Sequence, residues 1–178
     1  KDVADIPDEK NRGGGFGDAV LSKYEFTDSV KVKIGPDPAV GGQDRAVVFI
    51  KVRIEDKDLW VGTAHLDHVA NDANRIYQAK AIKPILESLD APFVFGGDFN
   101  DEPGSKTIEI MSQYTTFAYR SVTQYTYPSN LYPYNKKQLI DYVTYFPRDC
   151  FIERGYNVLH TVKASDHMPV VAVLNMDY

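Results

Sequence analysis

The chain contains a single cysteine, Cys150, so it can form neither an internal disulfide nor a multi-cysteine zinc site. It also lacks an excess of positive charge: 20 Lys and Arg against 25 Asp and Glu leave a net charge of −5. No overall basic field is available to draw in nucleic acid or a membrane. No apolar run approaches the roughly 18 residues that cross a bilayer, which argues against a transmembrane segment. The opening KDVADIPDEKNRGGG has no signal-like apolar core. Internal repeats and low-complexity tracts are absent, and so is a G-x-S-x-G nucleophile motif. What remains, 178 residues of which 43% are hydrophobic, fits one soluble, globular domain with a single core. The cysteine count leaves the compartment open.

Aromatic residues, 12% of the chain, fall mostly in alternating runs, which predicts a strand-rich fold with few helices. Residues 1–12 read as a disordered or linker segment, and Gly13-Gly14-Gly15 as a mobile loop. Strands are expected at 19–22, 30–34, 45–54 and 59–64, the last two joined by a turn at 55–58. The spacing of Ile76, Ala79, Ile82, Leu86 and Leu89 predicts a helix within 71–89 that carries Pro84 and packs one stripe on a sheet. Phe93-Val94-Phe95 is apolar on both faces and suits a central strand. Ser105 is placed to cap a short helix through Met111, and closing strands are expected at 139–146, 158–163 and 169–174.

Four short stretches set polar, titratable groups at the ends of these strands. In GGDFN, Asp98 and Asn100 lie two apart and share one side of an extended chain; an Asx turn is the ordinary structural explanation. Asp141 interrupts the apolar IDYV strand, so it either faces water or has a partner inside. Asp166-His167 precedes Pro169 and an apolar strand, where a plain turn would also serve. His65 ends a strand. His68, three residues on, points to the opposite face of an extended chain, which disfavours a zinc site shared by the two. Together these groups form an acid–base set with oxygen ligands suited to a hard cation such as Mg2+. Direct attack by activated water is then favoured over a covalent intermediate.

In this order, GFGDAVLSKYEF, TAHLDH, GGDFND, IDYV and SDHMPV resemble the endonuclease/exonuclease/phosphatase superfamily of metal-dependent phosphoesterases, over about residues 13–174. The resemblance implies an α/β fold, a DNase I-like four-layer sandwich of two mixed β-sheets flanked by helices, with residues 13–178 as its C-terminal portion. It implies hydrolysis of a phosphate mono- or diester with Mg2+, or Mn2+ in its place. By the same resemblance Asp98 would activate the attacking water, Asn100 and His65 would contact the phosphate, His167 would contact the scissile group with Asp141 fixing its ring, and Asp166 would bind the metal. Arg45 stands where the family often carries a basic residue, and Asp18 where Asn or a small residue is more usual. The family's principal metal-binding glutamate lies upstream of the glycine-rich stretch and has no counterpart in residues 1–12. The expectation is therefore an N-terminally incomplete domain with weak or no activity on its own. A nuclease of the same superfamily, or a noncatalytic binding module that keeps the fold, are the alternatives. The acidic balance gives no extended nucleic-acid surface, although Lys136-Lys137 with Tyr125, Tyr127, Tyr132 and Tyr134 could meet a phosphorylated headgroup or short strand. Loop packing is the ordinary reading of those tyrosines. The substrate class and oligomeric state stay open.

Overall fold

A computed structural model describes residues 2–7, 15–119, 124–129 and 136–178. Its centre is a six-stranded sheet in the order β3 (Phe26–Ile34), β4 (Arg45–Ile54), β5 (Lys57–Ala64), β6 (Phe93–Asp98), β8 (Asp141–Phe146), β7 (Thr116–Phe117). Only β5 and β6 run parallel, and between them the chain passes through helix α1 (Ala73–Glu87). A parallel pair needs such a crossover, whereas β4 and β5 are joined by a tight turn at Glu55, which adopts positive φ.

β4 explains the layering. Its residues alternate between two apolar surroundings, so it is buried on both faces from Arg45 to Ile50. Val47 and Phe49 join a core with Ala79, Ile82 and Leu86 of α1 and with Ile108 and Met111 of a second helix, α2 (Lys106–Met111). The α1 stripe faces the sheet as its spacing predicts, with Pro84 inside the helix, and Ser105 accepts from the Ile108 N–H as the α2 cap. On the opposite face Val48, Ile50 and Val52 pack with Val20 of β2 (Gly15–Val20), Phe151 of β9 (Phe151–Val158) and Ala172 and Leu174 of β10 (Val170–Met176). β2 pairs with β1 (Asp2–Pro7), and β9 with β10, as two separate antiparallel pairs. The described residues thus build three of the four expected layers: helices, the mixed sheet, and two strand pairs.

Two local expectations fail. Residues 2–7 form β1 where the sequence suggests a linker, because the backbone of β2 supplies a ladder that local composition does not reveal. The strand expected at 158–163 lies earlier, at Phe151–Val158. Its Glu153, Arg154, Gly155 and Asn157 hide the strand pattern, and pairing with β10 overrides them.

Candidate active site

β6 changes character along its length. Phe93 and Phe95 are buried, and then Gly96 and Gly97 bring the strand close to its neighbours. A Cβ on Gly97 would collide with the Ala64 carbonyl, and one on Gly96 would lie 2.6 Å from the Tyr142 carbonyl oxygen. This close approach, which only glycine permits, delivers Asp98 to the end of the sheet beside His65 at the end of β5. Opposite Asp98 in the register of β6 and β8 stands Asp141, the carboxylate that interrupts its strand.

The side chains converge there. His167 Nδ1 lies 2.9 Å from Asp141 Oδ2, the carboxylate–imidazole pair expected from the sequence. His167 Nε2 is 3.8 Å and His65 Nε2 3.4 Å from Asp98 Oδ2, so Asp98 sits between two imidazoles. The Asn100 backbone takes φ of 52°, its N–H donates to Asp98 Oδ1 at 2.9 Å, and its Nδ2 donates to the Leu66 carbonyl at 3.0 Å. That bond orients the amide and uses one of its two side-chain protons. Asp166 lines the same cavity, of about 500 Å3, with Asp98, Asn100, His65 and His167.

Electrostatics follow from this packing. Burial, and then the facing Asp141, push the Asp98 carboxyl up to about 6. Burial, with Arg45 as the next cause, brings His65 down to about 4, so it stays neutral near pH 7. The Asp141 hydrogen bond holds His167 above the usual imidazole range. Asp18 of β2, which accepts from the His65 backbone N–H, is pushed up to about 6 by burial.

Among the described residues one group could hold a metal: Asp98, Asp141 and His167, whose donor atoms lie within 4.8 Å of one another. Asp166 stands outside that group. Two carboxylates and an imidazole suit a divalent cation, but His167 is already bonded to Asp141 and a hard ion prefers oxygen ligands. The trio is therefore at least as well built for proton transfer.

Several supporting residues escape a sequence reading. Thr126 Oγ1 accepts from both the Ile140 and Asp141 N–H groups at 3.1 Å, which fixes the start of β8. Ser129 ties down the 165–167 loop through its N–H to the Asp166 carbonyl and its Oγ to the Ser165 carbonyl. Tyr127 lies against His167, with ring centroids 5.0 Å apart. Tyr125 packs between Lys137 and His160, whereas Tyr132 and Tyr134 lie outside the described residues. Arg45 is 3% exposed, and its guanidinium donates to His68 Nδ1 at 3.1 Å and Asp67 Oδ1 at 3.4 Å. Asp67 is in turn held by Asn74 at 2.6 Å, and its N–H donates to Gln78 at 2.9 Å. The only sequence signal for this network is the row of polar residues Asn74, Arg75 and Gln78 on the buried side of α1.

A mixed sheet backed by helices, with acidic and imidazole side chains gathered at one end of the strands, defines an α/β architecture with a candidate active site at the strand ends. Residues 4–167 match the Endonuclease/Exonuclease/phosphatase family, and the chain belongs to that family. An endonuclease/exonuclease/phosphatase family protein from Bacteroides thetaiotaomicron is 17% identical with a TM-score of 0.71, over 88% of this chain and 67% of that one. A mannosyl-6-phosphatase of Bacteroides thetaiotaomicron VPI-5482 is 17% identical with a TM-score of 0.66, over 86% and 68%. D. rerio TDP2, complexed with single strand DNA product, is 16% identical with a TM-score of 0.69, over 85% and 68%. At these identities the likeness is one of fold, and the chain spans about two thirds of each structure. No curated protein matches its sequence.

Proposed function

We propose that this chain carries a phosphoesterase site that hydrolyses a phosphate mono- or diester by direct attack of water, with Mg2+ or Mn2+ as the cofactor. The observation that carries the reading is the placement of Asp98 between His65 and His167, with His167 oriented by Asp141. Asp98, pushed up to about 6, is matched to taking a proton from water near neutral pH. The resulting hydroxide attacks phosphorus, the bond to the leaving oxygen breaks, that oxygen takes up a proton from solvent, and Asp98 returns its proton to solvent. His167, whose protonated form is favoured by its hydrogen bond to Asp141, offers an N–H and positive charge to a phosphoryl oxygen. Asn100 has its second side-chain N–H for another phosphoryl oxygen, and neutral His65 meets the phosphate from the opposite side of Asp98. Asp166 is the carboxylate that would hold the cation, whose chemistry when bound is to neutralise charge on the phosphoryl oxygens. One carboxylate is little for an ion that dehydrates reluctantly, so weak affinity and slow turnover are expected.

The phosphatase and the DNA-bound structure among the similar folds support a phosphate-ester substrate without choosing between a small ester and a strand. The test is phosphate release from a panel of mono- and diesters at high protein concentration, with Mg2+ and with chelator. Mg2+-dependent release that disappears in His167→Ala supports the reading. Release that persists with chelator, or in that variant, contradicts it. A chain that binds phosphate esters but never cleaves them with any divalent ion would be a binding module instead.

A further inference from the structure

The cavity holding Asp98 and His167 has a second wall that takes no part in the proposed reaction, formed by Gln43, Arg45 and His68 on one side and Tyr127 and Gln138 on the other. Its chemistry is set by one hydrogen bond. Arginine has five donors and no acceptor, so the contact between Arg45 and His68 Nδ1 at 3.1 Å requires that nitrogen to accept. The ring proton of His68 is then on Nε2, which makes that nitrogen a donor toward the cavity. Arg45 cannot swing out to meet a ligand, because it is buried and also bound to Asp67, itself 1% exposed. Of the described residues lining the cavity, Arg45 is the sole Lys or Arg, while Asp98 and Asp166 are acidic.

The opposite wall is built on a small antiparallel bridge. The Tyr127 and Gln138 backbones exchange hydrogen bonds of 3.0 and 2.7 Å, so both side chains are presented from a fixed frame. Lys136, near Gln138 in sequence, pairs with Glu102 at 2.8 Å, and Lys137 lies over the Tyr125 ring at 4.4 Å. A strand of nucleic acid draws its affinity mainly from cations on successive phosphates, and among the described residues lining the cavity there is no Lys or Arg besides the buried Arg45. Two amides, a donor imidazole and a tyrosine instead match a ligand rich in hydroxyl groups, since each can give or take a hydrogen bond without needing a counter-charge. A cavity of about 500 Å3 is of the size that takes one small molecule.

Resting on the phosphoesterase reading, the geometry points to a sugar or polyol phosphate as the substrate class, its phosphate at Asp98 and His167 and its hydroxyls on His68, Gln43 and Gln138. His68 and Gln43 are specificity-determining residues, and Arg45 is a positioning residue that acts through the His68 tautomer.

Binding measurements on the full chain test this without requiring turnover. Glucose 6-phosphate, inorganic phosphate and a thymidine dinucleotide are titrated against 15N-labelled protein. Glucose 6-phosphate is expected to bind more tightly than the other two and to shift the Gln43 and Gln138 side-chain amide signals. His68→Ala should weaken it by roughly three- to tenfold, as for one lost hydrogen bond, without changing the affinity for inorganic phosphate. His68→Gln, which keeps an N–H donor, should recover part of the loss. Gln43→Ala, on an exposed loop, provides a second variant if His68→Ala folds poorly. The 15N signals of the His68 ring should show the proton on Nε2. Glucose 6-phosphate no tighter than inorganic phosphate, tighter dinucleotide binding, or a His68 ring protonated on Nδ1 would overturn the assignment. Tight sugar-phosphate binding with no hydrolysis under any ion would sink the phosphoesterase reading and leave His68, Gln43 and Gln138 as contacts for a sugar-phosphate ligand.

Discussion

The two faces of β6 and β8 differ in what they contribute, although they belong to the same pair of strands. On one face Phe95 stacks on Phe49 at 5.3 Å and on Phe99 at 5.5 Å, with Tyr142 continuing the series. On the other face the register sets Asp98 directly opposite Asp141, two like charges in a position that opposes pairing. The aromatic series stabilises the sheet by burial and ring contact, whereas the carboxylate pair is tolerated because His167 bonds one member and burial protonates the other more readily. Stability and chemistry are thus separated by the alternation of side chains along the strands, with Phe99 and Tyr142 next in sequence to Asp98 and Asp141 but on the other face.

Substitutions on either side should separate cleanly. The largest effect is expected for His167→Ala, which removes the imidazole from the site and should lower the rate of ester hydrolysis by about 10² to 10⁴, measured at saturating Mg2+. On the aromatic face Phe95→Ala should cost about 3–5 kcal/mol in urea denaturation, since Phe95 is fully buried, with activity falling only as the folded fraction falls. Asp141→Asn should leave the fold in place while lowering kcat by about 10- to 100-fold through a misoriented His167. It should also shift the alkaline limb of the pH profile downward, because the bond that raises His167 is weakened. Smallest is Ser105→Ala, far from the charges, which should cost about 1 kcal/mol of stability and nothing in rate.

The pH dependence sharpens the same contrast. Activity needs Asp98 ionised and His167 protonated, so the rate should rise as pH passes about 6 and fall again above the raised value of His167. Stability moves the other way for Asp98. A carboxyl whose folded value is raised stabilises the fold when protonated, and that contribution is lost as pH climbs from 3.8 through about 6. His65 is depressed to about 4, so its contribution is present above 6.5 and is lost as pH falls through 4.

Much of this was legible in the residues. The α1 stripe, the Ser105 cap and the doubly apolar Phe93–Phe95 run each follow from local spacing, and the Asp141–His167 pair follows from the cost of a carboxylate alone in a strand. β1 and β9 were not legible, because their pairing partners lie elsewhere in the chain and their own residues are polar or broken by glycine. The Arg45–Asp67–Asn74 network was hidden for a related reason: its members are 22 and 7 residues apart, and buried polar groups leave no periodic trace. His68, unremarkable beside His65, takes its meaning only from Arg45.

The measurement that bears most directly on the separation of stability from chemistry is Asp98→Asn, followed in two readouts on the same protein. Hydrolysis of a phosphate ester should fall by at least about 100-fold. Stability at pH 8 should rise by roughly 1–3 kcal/mol, as repulsion from Asp141 and the cost of a buried charge are removed, and the gain should shrink toward zero at pH 4. A variant that keeps its activity, or one that loses stability at pH 8 as a core substitution would, contradicts the account.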